Sequence, residues 1–213
     1  MITAFINLKG GCGKSTSAVH LCRYLIDKHQ EVALVDSDSQ ATSSTWIANL
    51  ETSIPRPKLF RITEPDPLLD ELPGLAEAFD TVVIDGAGGL AEVQRAILLL
   101  AHLVLIPVQP SAPDIAASQE AIAAVRRVRR IRQGQPQAHT FLTRTVTKTL
   151  LLKEAREVLA SYPDIPPLLS EIPQRQVAAD VMGQHSTLFE LKSKAASELT
   201  ECYRQLFKEV NLG

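Results

Sequence analysis

Apolar and polar positions follow two different rhythms along the chain. Almost unbroken apolar runs at 2–8 (ITAFINL), 31–36 (EVALVD), 81–86 (TVVIDG) and 103–108 (LVLIPV) predict buried strands, because a strand covered on both faces has no polar side to show. Residues 139–146 (HTFLTRTV) predict a further strand and 59–63 (LFRIT) a weaker one. Helical patterns fill the intervals, roughly 14–28, 42–50, 68–79, 90–101, 114–132, 149–161 and 193–210. Strand and helix in alternation predict an α/β fold: a doubly wound, mostly parallel sheet with helices on both faces, in a single domain spanning 1–213. Ligands of such sheets bind at the carboxyl ends of the strands. The proline-bearing stretches 55–73 and 163–173 read as surface connections within that domain.

Composition narrows the class. With 213 residues, 45% hydrophobic and 22% charged, the chain is an ordinary globular one with length for a sizeable core. No apolar run reaches a membrane span, and the first strand begins so early that no leader is expected. Three cysteines without paired spacing point to a reduced, cytoplasmic setting. The net charge of −2 conceals an asymmetry: residues 31–92 hold 12 acidic and three basic side chains, residues 121–153 eight basic and no acidic ones.

The chemistry begins at INLKGGCGKST (6–16), a strand running through a glycine turn into a helix. Gly10, Gly11 and Gly13 let backbone N–H groups approach an anion, and the helix N-terminus adds its positive end. Lys14 suits β- and γ-phosphates and the Ser15 hydroxyl suits Mg²⁺. Lys9 is one lysine more than phosphate binding needs. Asp36 and Asp38 close the second strand, two residues apart on one side of the pleat, and suit Mg²⁺ and an attacking water. Asp85 emerges from an apolar strand, where a carboxylate needs a partner such as hydrated Mg²⁺.

These motifs resemble the ParA/MinD family of deviant Walker A P-loop ATPases. KGGCGKST matches its box with the signature lysine at Lys9, LVDSDSQAT (34–42) its second motif with Ser39 in place of the usual proline, VVIDGAGGL (82–90) its Walker B strand, and IPVQPSAPD (106–114) the stretch after the next strand. Small plasmid-partition ATPases of the ParF type and carboxysome-positioning ATPases are the nearest branches. The resemblance implies ATP and Mg²⁺ as ligands, with Lys9, Gly10, Gly11, Cys12, Gly13, Lys14, Ser15 and Thr16 holding nucleotide. It places Asp36 near the metal's water shell and gives Asp38 a part in hydrolysis. Pro107, Arg144, Pro173 and Gln174 become the adenine walls; Asp114, by its residue chemistry alone, reads as a helix cap. Lys9 would cross a two-fold interface to the partner's ATP, making ATP the glue of a homodimer. A cargo adaptor of the ParB or McdB kind would stimulate turnover.

VRRVRRIR (125–132) adds five arginines in seven residues. Arg126, Arg127, Arg129, Arg130 and Arg132, with Lys148, Lys153 and Arg156, predict a basic face for non-specific DNA and a nucleoid location. The C-terminal helix, with Ala195, Leu199, Cys202, Leu206 and Val210 in register and acids opposite, predicts packing on the domain and no membrane contact. A MinD-like membrane-surface ATPase is the alternative. An iron–sulfur ATPase lacks a suitable cysteine pair. Cys22, Cys202 and Trp46 are expected in the core, and Cys12 has no assigned chemistry.

Overall fold

The computed structural model describes residues 1–89 and 91–212. Seven strands, β1 (Ile2–Phe5), β2 (Val32–Asp36), β3 (Lys58–Arg61), β4 (Thr81–Asp85), β5 (Leu103–Val108), β6 (Gln137–Thr145) and β7 (Ile172–Pro173), lie in the order β3-β2-β4-β1-β5-β6-β7. Every pairing is parallel, so the sheet is parallel throughout, where the sequence predicted it mostly so. The apolar runs explain this directly. β1, β2, β4 and β5 are buried at every position, which requires cover on both faces.

Helices α1 (Lys14–Asp27), α2 (Thr42–Asn49), α7 (Gln176–Asp180) and α8 (Lys194–Glu209) supply one face; α3 (Pro65–Ala78), α4 (Ala91–Leu100), α5 (Ala112–Ile131) and α6 (Leu150–Ala160) supply the other. The expected helices fall within a few residues of these bounds; the predicted start at Leu90 lies outside the described residues. β7 and α7 have no counterpart in the sequence reading. Both fall in or beside the stretch taken as a surface connection, where two residues ending in a proline carry no periodicity, and proline is tolerated on an edge strand.

Two expectations are corrected by local chemistry. The strand read as 2–8 ends at Phe5, because Asn7 turns its amide onto the neighbouring strand, donating to Pro107 O at 2.8 Å. The apolar stripe of α8 is broader than read: Ala196, Tyr203 and Phe207 are buried with Leu199 and Leu206, while Cys202 and Val210 are partly buried. The aromatics of α8 join His20, Tyr24, Trp46 and Phe189 in one cluster, in which His20 stacks on Tyr203 at 4.9 Å. His20 accepts the Leu188 N–H on Nε2 and so donates from Nδ1 to Thr16 O. Buried and neutral, its pKa is lowered to about 4. Trp46 and Cys22 are core residues, as expected.

Candidate nucleotide-binding site

β1 is the middle strand of seven, so its carboxyl end opens onto the centre of the sheet edge. The turn from β1 to α1 runs through Gly11 at φ +79° and Gly13 at φ +100°, left-handed values that favour glycine. A side-chain carbon at Gly10 or Gly11 would meet nothing within 4 Å, so the space beside these two glycines is open. Neighbouring strands hold the turn in shape. Asn7, fully buried, donates to Pro107 O and accepts the Lys9 N–H at 3.1 Å. Gln109 Nε2 donates to Gly11 O at 2.7 Å, and Thr143 Oγ1 to Cys12 O at 2.8 Å. Sequence reasoning missed Asn7, Gln109 and Thr143; polar residues ending apolar strands were the available signal. Cys12 also receives an explanation: its buried thiol donates to Lys9 O at 3.4 Å and tightens the turn, and burial pushes the thiol pKa up.

The two lysines point to different partners. Lys14, 5% exposed at the start of α1, donates its ammonium to Lys9 O at 3.0 Å. Lys9 reaches the other way, and its Nζ lies 2.6 Å from Asp114 Oδ2. Within one chain, therefore, Lys9 is paired in cis. The capping role expected of Asp114 belongs to Ser111, whose Oγ accepts from Asp114 N. Asp114 instead holds Lys9 through a carboxylate 2% exposed.

The three aspartates divide in the same way. β2 ends at Asp36, so the pleat argument does not extend to Asp38. Asp36 accepts from Asp38 N at 3.0 Å and Ser44 N at 2.8 Å, tying the loop to α2. Asp38, half-buried, accepts from Gln40 N and from Gly88 N at 3.2 Å, joining the loops after β2 and β4. Asp85 is fully buried and neither carboxylate oxygen has a hydrogen-bond partner. Burial pushes its pKa up to about 6, against the opposing pull of the Ser15 and Ser43 hydroxyls and Lys14. A cation shared with Ser15 would satisfy this carboxylate, so the residues fit Mg²⁺ here. Asp36 already spends both oxygens on backbone donors, so it would meet a bound metal only indirectly.

Beside the loop a cleft of about 200 Å³ is lined by Gly13, Thr16, Arg144, Pro173, Gln174 and Tyr203, among others. Arg144, Pro173 and Gln174, expected as adenine walls, thus share one cleft. Pro107 does not line it; it is buried inside β5 and pairs in register with Phe141. Arg144 has φ +50° at an irregularity in the β6–β7 pairing; such features re-aim side chains beside functional sites.

The basic face is less free than the sequence suggested. Acids outside the stretch meet it: Arg126 bonds the Asp164 carboxylate and Arg129 the Asp164 carbonyl, Arg156 bonds Glu171 at 2.7 Å, and Lys153 lies 3.8 Å from Glu157 one helical turn on. Arg129 also donates to Pro136 O, and Arg132 to Leu98 O and Ala101 O. Among the described residues, Arg127, Arg130, Arg132 and Lys148 of the predicted set have no ion pair, and of these Arg132 is spent on backbone carbonyls. No described helix is long and apolar enough to cross a membrane.

Residues 3–188 match the CobQ/CobB/MinD/ParA nucleotide binding domain. VirC1 of Rhizobium radiobacter is 33% identical over 132 residues, which cover 60% of this chain but only 55% of VirC1. The maintenance of carboxysome distribution protein A (McdA) of Halothiobacillus neapolitanus is 26% identical over 210 residues, 97% of this chain and 94% of that one. Among solved structures, an McdA–ATP complex from Cyanothece superposes with a TM-score of 0.82 over 100% of this chain and 96% of the other, at 15% identity, a likeness of fold.

Proposed function

Because this chain belongs to the CobQ/CobB/MinD/ParA nucleotide-binding family, we propose that it is a Mg²⁺-dependent ATP hydrolase of the ParA type, whose ATP-bound homodimer holds DNA and positions a cargo through an adaptor protein. The observation that carries the nucleotide part is Asp85, a buried carboxylate without a partner beside Lys14 and Ser15. Among the described residues no three His, Cys, Asp or Glu side chains gather to hold a metal alone, so a cation at Asp85 would complete its shell with phosphate oxygens and water. The turn 9–16 cradles the phosphates and the Arg144–Gln174 cleft takes the base. Bound Mg²⁺ supplies positive charge to the phosphates and lowers the cost of hydrolysis. Lys14 moves from Lys9 O to the phosphates, and Asp38, held between the loops after β2 and β4, orients the water.

Lys9 supports the dimer: phosphate binding within one chain is complete without it, as in the family whose signature lysine serves the partner's ATP. Paired copies double the basic residues Arg127, Arg130 and Lys148 and gain avidity for DNA. The likeness to McdA over nearly its whole length favours protein-organelle cargo, and plasmid or chromosome partition is the second reading. The test is ATP binding and ATP-dependent dimerisation of Lys14→Ala and Lys9→Ala. Lys14→Ala should lose binding; Lys9→Ala should bind as a monomer and fail to dimerise or retain DNA. A Lys9→Ala protein that dimerises normally removes the two-subunit reading.

A further inference from the structure

Seven large apolar side chains stand exposed among the described residues, and three of them, Val146 (51%), Leu150 (69%) and Leu151 (49%), fall within six residues at the junction of β6 and α6. The junction is built to present them. Thr149 caps α6, accepting from Leu152 N and donating to Val146 O at 2.9 Å, and Lys148 adopts φ +63°. Leu152 turns into the core while Leu150 and Leu151 turn out. A rigid, capped helix start carrying adjacent exposed leucines is a contact surface rather than scattered surface apolarity.

Position says what it contacts. Val146 and Leu151 share a hollow of about 200 Å³ with Gln109, Ser111, Arg144 and Gln174. Gln109 holds Gly11, Ser111 holds Asp114, and Arg144 and Gln174 rim the cleft. The patch is therefore continuous with the surface around the phosphate loop, and a body that covers Lys9 also meets this shoulder. Charge selects an arrangement. With β1 central, the β5–β6 half of this edge carries Lys148 and Arg144, and the β2–β4 half, acidic on balance, carries Asp38, Glu64 and Glu92 against Arg61 at the end of β3. A two-fold that sets each half against the partner's opposite half pairs basic with acidic; the alternative sets like against like.

We propose that Val146, Leu150 and Leu151 form the apolar part of the contact with a second copy of this chain, seated on the partner's β2–β4 half. The proposal rests on the two-subunit reading above. Two-fold symmetry uses each patch twice, so substitutions act doubly. The test is sedimentation of the full chain with a non-hydrolysable ATP analogue and Mg²⁺, comparing wild type with Leu150→Ser/Val146→Thr, whose exposed positions leave folding intact. The variant should bind the analogue as tightly as wild type while its dimer dissociation constant rises at least tenfold. A wild-type dimer with an unchanged variant refutes the patch alone. A wild type that stays monomeric removes the two-subunit reading and the proposal with it. Flotation of the protein on anionic vesicles that depends on Leu150, with dimerisation unaffected, reassigns the patch to lipid and overturns the proposal.

Discussion

Replacing Asp85 with asparagine should stabilise the magnesium-free protein at neutral pH and turn a nearly flat acid response into a falling one. The folded-state pKa of Asp85 rises from 3.8 to about 6. Roughly two units at 1.36 kcal/mol each put the cost of its buried charge near 3 kcal/mol. That cost is complete above about pH 6 and vanishes below the unfolded pKa, so Asp85 alone makes the protein more stable as pH falls. His20 does the reverse. Its pKa drops from 6.5 to about 4, so the unfolded chain takes up the proton first and about 3 kcal/mol is lost as pH falls across that window. Between pH 4 and 6 the two slopes oppose one another and leave these groups a nearly flat sum. Asp85→Asn removes one slope and exposes the other. In urea melts with EDTA, the variant should exceed wild type by about 2–3 kcal/mol at pH 7.5, the shortfall reflecting its still-unpaired amide. It should then lose that lead progressively toward pH 4.5. With Mg²⁺ and ATP the order reverses, because only the carboxylate gains a ligand. A variant no more stable than wild type at pH 7.5 in EDTA, or parallel pH profiles, would refute the assignment of an uncompensated buried charge to Asp85.

The loop and the basic helix offer further measurements. Gly86→Ala places a carbon 2.6 Å from Phe5 O and 3.1 Å from Ile6 Cγ2, so strands β1 and β4 must part; a loss of about 1–3 kcal/mol in urea melts is expected, with weaker nucleotide binding. Asn7→Ala strips Pro107 O and Lys9 N of their buried partner and should cost about 1–3 kcal/mol, while raising the nucleotide dissociation constant because the turn loses its anchor. For DNA, removing Arg127 and Arg130 together should reduce the log–log salt slope of duplex binding by about 1.8 per subunit. Arg126→Ala with Arg129→Ala should instead lower thermal stability with little change in that slope, since both are tied to Asp164. Equal slopes for the two pairs would show that ion pairing inside the chain does not decide which arginines meet phosphate.

The strands, the sheet class and the phosphate turn were legible because each rests on local pattern. A strand buried on both faces writes its apolar run into the sequence, and a turn needing left-handed backbone writes its glycines. What stayed hidden depends on residues far apart. Asp164 and Glu171 neutralise arginines 35 or more and 15 residues away, so a charge count over 121–153 overstated the free basic surface. Asp114 finds Lys9 across 105 residues, and no spacing rule links them. Pro107 illustrates a different error: it lies in the strand the apolar run predicted, and there, buried with its carbonyl accepting from the Asn7 side chain, it does not reach the cleft whose wall it was expected to form.

The two lysines differ in how firmly the chain holds them, and the difference bears on what can release each. Lys14 has a neutral carbonyl as its partner. An arriving phosphate offers a charged acceptor in its place, and Lys9 O is left beside a turn open to water. Lys9 has a carboxylate 2% exposed, whose second oxygen has no partner. Drawing Lys9 away strands a buried negative charge on Asp114, and breaking one side of a buried pair is costly. The half-exposed Lys9 softens that cost without removing it. A nucleotide in the same subunit brings only more negative charge to this neighbourhood and does nothing for Asp114. On the two-subunit reading, a partner can bring both an anion for Lys9 and a donor or cation for Asp114. Lys14 would then respond to nucleotide alone, whereas Lys9 would respond to nucleotide and partner together.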